Sequence, residues 1–171
     1  MADIDSSMKS KYISPKTADK AVFVNTAEFM PIVEDRLRAG HSVVIAVRGK
    51  SMRPLLREGR DSVVLSPIVG EVKKFDILMY KRADGSYTIH RVVGVSNNGF
   101  TIVGDNQFVY ENDVPKSSVI AVVSAIKRRG RTIDIGRPIL RLYAKIWQST
   151  RGARYLPIRV LRKLKSQMKK K

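Results

Sequence analysis

Apolar and polar residues alternate over several short stretches of this chain. Such alternation marks half-buried strands, because successive side chains leave a strand on opposite faces. Stretches of this kind lie at residues 43–47, 62–65, 76–80, 87–95, 100–103 and 119–126, with a shorter candidate at 132–135. Ala83-Asp84-Gly85-Ser86 and Asn97-Asn98-Gly99 separate some of them. Asp-Gly and Asn-Gly tolerate positive φ, so both read as hairpin turns. Ahead of the first strand the period is helical: Phe29, Ile32, Val33 and Leu37 follow Asn25-Thr26, with Pro31 in the first turns and Gly40 after the run. Beyond the last strand it is helical again. Ile139, Leu142, Tyr143, Ile146 and Trp147 form one helix after Pro138, and Leu161, Leu164 and Met168 align on a second after Pro157, with a break at Ser149-Thr150-Arg151-Gly152. The pattern predicts a mainly β protein: a coiled antiparallel β domain with a short N-terminal helix and a basic α-helical tail. Residues 1–20 read as a flexible arm, 21–136 as the β domain with its helix, and 137–171 as the basic amphipathic tail.

Composition narrows the chemistry. At 171 residues, 43% of them hydrophobic, the chain can bury one domain core. It has no cysteine, so disulfides and thiolate metal sites are excluded. Two histidines without cysteine leave no zinc site of the usual make-up. Gly49-Lys50-Ser51 lacks the upstream glycine of a phosphate-binding loop, and no cofactor is expected. No apolar run approaches the ~20 residues of a spanning helix. The N-terminal residues contain no secretory signal.

The net charge of +18 sits at one end. Residues 127–171 hold 16 Lys/Arg and a single acid, Asp134, whereas residues 1–126 hold 17 Lys/Arg and 14 Asp/Glu. A cationic end attracts polyanions. With Trp147, Leu142 and Ile146 among the bases, an anionic membrane surface is the expected partner. Nucleic acid is disfavoured, since aromatic residues are sparse and no DNA-reading motif occurs. A chain ending after Ile135 is expected to keep the β core, since every motif block lies before that point; the alternative is that the tail helices pack on the body with their charges solvated.

Two residues carry the candidate chemistry. Ser51 lies in Gly49-Lys50-Ser51-Met52-Arg53-Pro54, a context that suits an exposed nucleophile on a turn. A serine needs a base within hydrogen-bond reach, and histidine is the commonest one. His90 lies in a predicted strand, in Tyr87-Thr88-Ile89-His90-Arg91-Val92-Val93-Gly94. The other histidine, His41, follows Gly40 and reads as a helix-end or surface residue. Backbone N–H groups around Gly49 and Met52 are candidates for holding an oxyanion.

Three blocks, 49–59, 87–94 and Thr101-Ile102-Val103-Gly104-Asp105-Asn106, stand in the order and spacing of a known superfamily. The chain resembles the signal peptidase I and LexA-like serine peptidases over about half its length. Bacterial signal peptidases and LexA-like proteins carry lysine in the second block. Histidine there is similar to the endoplasmic-reticulum-type enzymes, and no transmembrane anchor is evident. The resemblance implies a coiled β peptidase fold and a Ser51/His90 endopeptidase that cleaves a signal or leader peptide presented in extended form. It also implies an acid that orients His90. Asp105 matches the Gly-Asp-Asn block, Glu111 falls nearest the family's second acidic position, and Asp113 lies two residues beyond. Many signal peptidases carry a hydroxyl donor where Gly49 stands, so the second oxyanion donor here is expected from backbone. The expected setting is cytoplasmic, peripheral at a membrane. Two alternatives remain: a LexA-like module that cleaves itself, for which Ala39-Gly40 is a formal match, and a non-catalytic module that binds membrane or acidic partners through its tail.

Overall fold

The computed structural model describes residues 26–154. By packing, the chain separates into residues 1–32 and 33–171. The expected arm and the second tail helix lie outside the described residues. Helix α1, Thr26–Arg38, bridges the two units in sequence, and Val33 and Leu37 are buried. It ends as expected of a glycine stop. Gly40 takes φ +83°, its N–H bonds to the Leu37 carbonyl and that of His41 to Arg36, so the last helical carbonyls are satisfied.

The rest is mainly β. The strands are β1 (Val43–Ala46), β2 (Asp61–Ser66), β3 (Ile77–Lys81), β4 (Tyr87–Val95), β5 (Phe100–Val103), β6 (Glu111–Val114), β7 (Val119–Arg128) and β8 (Arg131–Asp134), followed by helix α2 (Pro138–Ser149). All pairings are antiparallel, in the order β1-β2-β7-β3-β4-β5-β6, with β8 also on β7. β7 is long enough to carry β2 along one edge while β3 and β8 share the other. Register shifts at Val64/Leu65, Met79/Tyr80, Val92/Gly94 and Phe100/Ile102 give the sheet four irregularities of the kind that bend strands and increase twist.

Seven of the strands fall where alternation predicts them. β6 does not: Glu-Asn-Asp-Val is too polar to read as a strand, and it forms because it closes the edge of β5. One face of the sheet holds a core of Leu78, Tyr80, Val92, Phe100, Ile102 and Val114. Each such aliphatic side chain contributes roughly 1.5–3 kcal/mol on burial.

The loop between β1 and β2, which carries Ser51, is tied to β7 through Asp61. That carboxylate is buried and takes hydrogen bonds from Arg60, Arg128 and the Arg57 N–H. Burial opposes its ionisation, but these bonds outweigh burial and hold it well below the usual carboxylate range. Arg60 and Arg128 also donate to the Leu55 carbonyl, which pins the loop itself.

Candidate active site

Strand register assembles the surroundings of His90. His90 on β4 pairs with Leu78 on β3, so Tyr80, two residues along β3, is its diagonal neighbour on the same face. Val92, also on that face, pairs with Ile102 on β5, and Ile102 pairs with Glu111 on β6. Glu111 therefore reaches His90 across β5. His90 Nδ1 lies 3.3 Å from Glu111 Oε1 and 3.2 Å from the Tyr80 hydroxyl, and the residue is 1% exposed.

Electrostatics sets the proton positions. Arg82 donates to both Glu111 oxygens, at 2.9 and 2.5 Å, and these bonds hold the Glu111 carboxyl below its ordinary value although burial works against them. An ionised carboxylate can only accept, so a proton on His90 Nδ1 would be stabilised by Glu111, and that tautomer would leave Nε2 as the basic nitrogen. Burial pushes the imidazole below its usual 6.5, with Glu111 partly opposing. The Tyr80 hydroxyl is driven well above its normal range by burial and by its hydrogen bond to Glu111, and stays protonated.

Ser51 is held by its backbone. Gly49 takes φ +79°, a left-handed conformation that favours glycine, and its N–H bonds to Glu58 at 3.2 Å. Met52 is buried, and its carbonyl accepts from Leu56 N–H. The Ser51 carbonyl accepts from Asn106 N–H at 2.7 Å, and the Asn106 amide donates to the Lys50 carbonyl. The contact is close: a Cβ on Gly104 would stand 2.8 Å from the Ser51 carbonyl oxygen. The turn at 104–107, which follows β5, is thus the seat of the Ser51 segment.

The three candidate acids occupy different places. Glu111 is beside His90. Asp105 is buried on the opposite side of β4, where Arg91 grips both its oxygens at 2.7 Å and also donates to the Phe75 carbonyl. Gln148 adds a bond to Asp105 at 3.2 Å. Asp105 therefore fastens the turn to β4 and makes no hydrogen bond to His90. Asp113 is exposed on β6 with φ +53°. The Ser51 backbone rests on the turn after β5, and His90 lies on β4, which pairs with β5; among the described residues no hydrogen bond joins Ser51 to His90.

Tyr80, Arg82 and Arg91 were not singled out by the sequence. Arg91 adjoins His90 in the same block, and its burial is the signal that matters. Tyr80 and Arg82 become recognisable only through register and the existence of β6.

Helix α2 packs against the turn at 104–107. The Trp147 indole N–H bonds to the Asp105 carbonyl at 2.9 Å, and its ring stacks on Tyr143 under the Arg154 guanidinium. A half-buried indole needs such a partner, and the 104–107 turn supplies it. Gln148 and Arg151 bond to the same turn. Leu142 and Ile146 remain 51% and 55% exposed on the outer side of α2. No helix among the described residues is long and apolar enough to cross a membrane.

No protein-family model matches this chain, and no curated protein does either.

Proposed function

We propose that the chain is a serine endopeptidase of the signal peptidase I and LexA-like type, with Ser51 as nucleophile, His90 as general base and Glu111 as the acid that orients it. The observation that carries this reading is the Arg82–Glu111–His90 line, which favours a neutral imidazole and suits a tautomer with Nε2 as the base. In the reaction Ser51 Oγ would attack the scissile carbonyl carbon and pass its proton to His90 Nε2. Backbone N–H groups of Ser51 and Met52 would hold the oxyanion, since that of Gly49 is engaged by Glu58. His90 would return the proton to the leaving amine, then take one from the water that hydrolyses the acyl-enzyme. Catalytic hydrogen bonds are often open before substrate binds, so the Ser51–His90 bond is assigned to the substrate complex. The substrate is an extended signal or leader peptide with small residues before the cut, as the resemblance implies.

Self-cleavage at Ala39-Gly40 is disfavoured, because that bond is locked in the helix stop of α1 rather than extended. A second reading is favoured by the burial of His90: the Tyr80–His90–Glu111–Arg82 group as a structural network in a binding module. A pool of synthetic peptides with alanine or glycine at central positions, analysed by mass spectrometry, decides between them. Cleavage by wild type that disappears in Ser51→Ala and His90→Ala supports the peptidase. Equal cleavage by Ser51→Ala, or none by wild type, overturns it.

The same proposal places the protein at the cytoplasmic face of an anionic membrane. Leu142, Ile146 and Ile139 form an exposed apolar stripe on α2 within the cationic end of the chain. Sedimentation with vesicles should show binding to anionic lipid that weakens as salt shortens the Debye length. Indifference to anionic vesicles at low salt would remove this part.

A further inference from the structure

We propose that Arg151, with Trp147 and Gln148, is a positioning residue for Ser51, so that the basic C-terminal segment completes the candidate active site. The peptidase role of Ser51 rests on the reading above; the mechanical coupling stands on geometry alone.

Arg151 is 4% exposed. A buried guanidinium is costly unless its donors are satisfied. Its acceptors are neutral oxygens concentrated on one turn. Nη1 and Nη2 each donate to the Gly104 carbonyl at 3.3 Å, Nη1 also to the Gln107 carbonyl, and Nε and Nη2 to the Gln148 amide oxygen at 3.0 and 2.6 Å. The guanidinium also faces the Tyr110 ring, 5.5 Å from its centre. No carboxylate pairs with it among the described residues. Its donors are thus satisfied by the Gly104 and Gln107 carbonyls together with the Gln148 amide oxygen, and in return its planar fork fixes the backbone of 104–107.

The fixed turn is the one on which Ser51 rests. Asn106 N–H holds the Ser51 carbonyl from inside the turn, and Gly104 lies against the same oxygen. Trp147 and Gln148 grip Asp105, and Asp105 passes the restraint to Arg91, the residue after His90. One turn therefore receives three side chains from the 147–151 segment and transmits them to both the Ser51 loop and the His90 strand. A shift of this turn would move the nucleophile relative to the Glu111–His90 pair, which is held mainly by strand register. Small displacements of a reacting group lower turnover strongly while leaving substrate binding nearly unchanged.

The test uses full-length Arg151→Met, Arg151→Lys and Trp147→Phe, read by peptide-resolved amide hydrogen exchange and by kinetics on a peptide cleaved by wild type. Arg151→Met should raise exchange on the order of tenfold in segments 104–107 and 50–53, with β7 unchanged. It should lower kcat roughly 10- to 100-fold with KM within about twofold. Arg151→Lys, which keeps the charge and loses the fork, should recover part of both effects. Trp147→Phe keeps the stacking and loses one donor, so it should give the same pattern more weakly; it decides the matter if Arg151→Met does not fold. Unchanged exchange at 50–53 in a folded variant overturns the proposal. So does exchange rising evenly over the whole sheet, which marks a merely structural arginine. If exchange responds as stated while wild type cleaves no peptide, the coupling holds and the peptidase reading fails.

Discussion

The His90 side and the Ser51 side of the candidate site are built in different ways. Around His90 every partner comes from a strand, and register alone brings Tyr80 and Glu111 to one face. Around Ser51 nothing is set by register. Its loop is held by carbonyls and by long-range arginines: Arg128 through Asp61, Arg91 through Asp105, and Arg151 through the 104–107 turn. A sheet resists local change because each strand is paired along its length, whereas a loop has only its specific fasteners. Damage on the strand side should therefore alter proton chemistry, and damage on the loop side should alter geometry.

The sharpest way to break the loop side is Arg91→Leu, which leaves Asp105 buried without its ion-pair partner. Loss of one member of such a pair costs about 3–5 kcal/mol, to be read by urea denaturation. The double variant Arg91→Leu/Asp105→Leu should be less destabilised than Arg91→Leu. If it is not, the pair does not carry the loop.

On the strand side, Glu111→Gln keeps the shape and removes the anion that orients His90. Peptide cleavage should fall on the order of 10²-fold or more, with little change in the exchange pattern of the Ser51 loop. Asp113→Asn, at an exposed position, should leave activity within about twofold. A reversed ranking of these two would reassign the acid.

Gly104→Ala probes the seam between the two regions. The added methyl meets the Ser51 backbone carbonyl, which cannot move aside as a side chain would. A loss of roughly 1–3 kcal/mol is expected from overpacking, together with reduced turnover. Wild-type turnover in this variant would show that the position of Ser51 does not depend on the turn.

The smallest effect is on pH. Burial lowers the His90 pKa below its unfolded 6.5, with Glu111 partly opposing. The unfolded chain therefore takes up the proton first, and the stability tied to neutral His90 is complete above pH 6.5 and lost as pH falls through the folded pKa. Cleavage should rise through a pKa below 6.5 in wild type, and lower still in Glu111→Gln, where the supporting charge is gone. An acid limb above pH 7 would exclude His90 as the base.

Much of this fold is legible from residue pattern. Strand alternation over 87–95 and the glycine stop at Gly40 are local properties, settled by the two-residue and helical periods and by backbone conformation. The Ser51 and His90 blocks are likewise local, since each depends on neighbours in sequence. The strand β6 was hidden because its residues are polar, and a polar edge strand exists only by virtue of its partner β5. Hence the choice of Glu111 over Asp105 and Asp113 could not be read from composition: all three are acids in polar surroundings, and register decides which one meets His90.

The tail marks the same boundary. Its helical period and its concentration of charge were evident from the chain alone, because both are properties of spacing and residue type. Which way the helix faces was not. Trp147 turns inward and Arg151 is buried because the 104–107 turn presents the Gly104, Asp105 and Gln107 carbonyls to them as acceptors, and that surface exists only once β4, β5 and the Ser51 loop have come together.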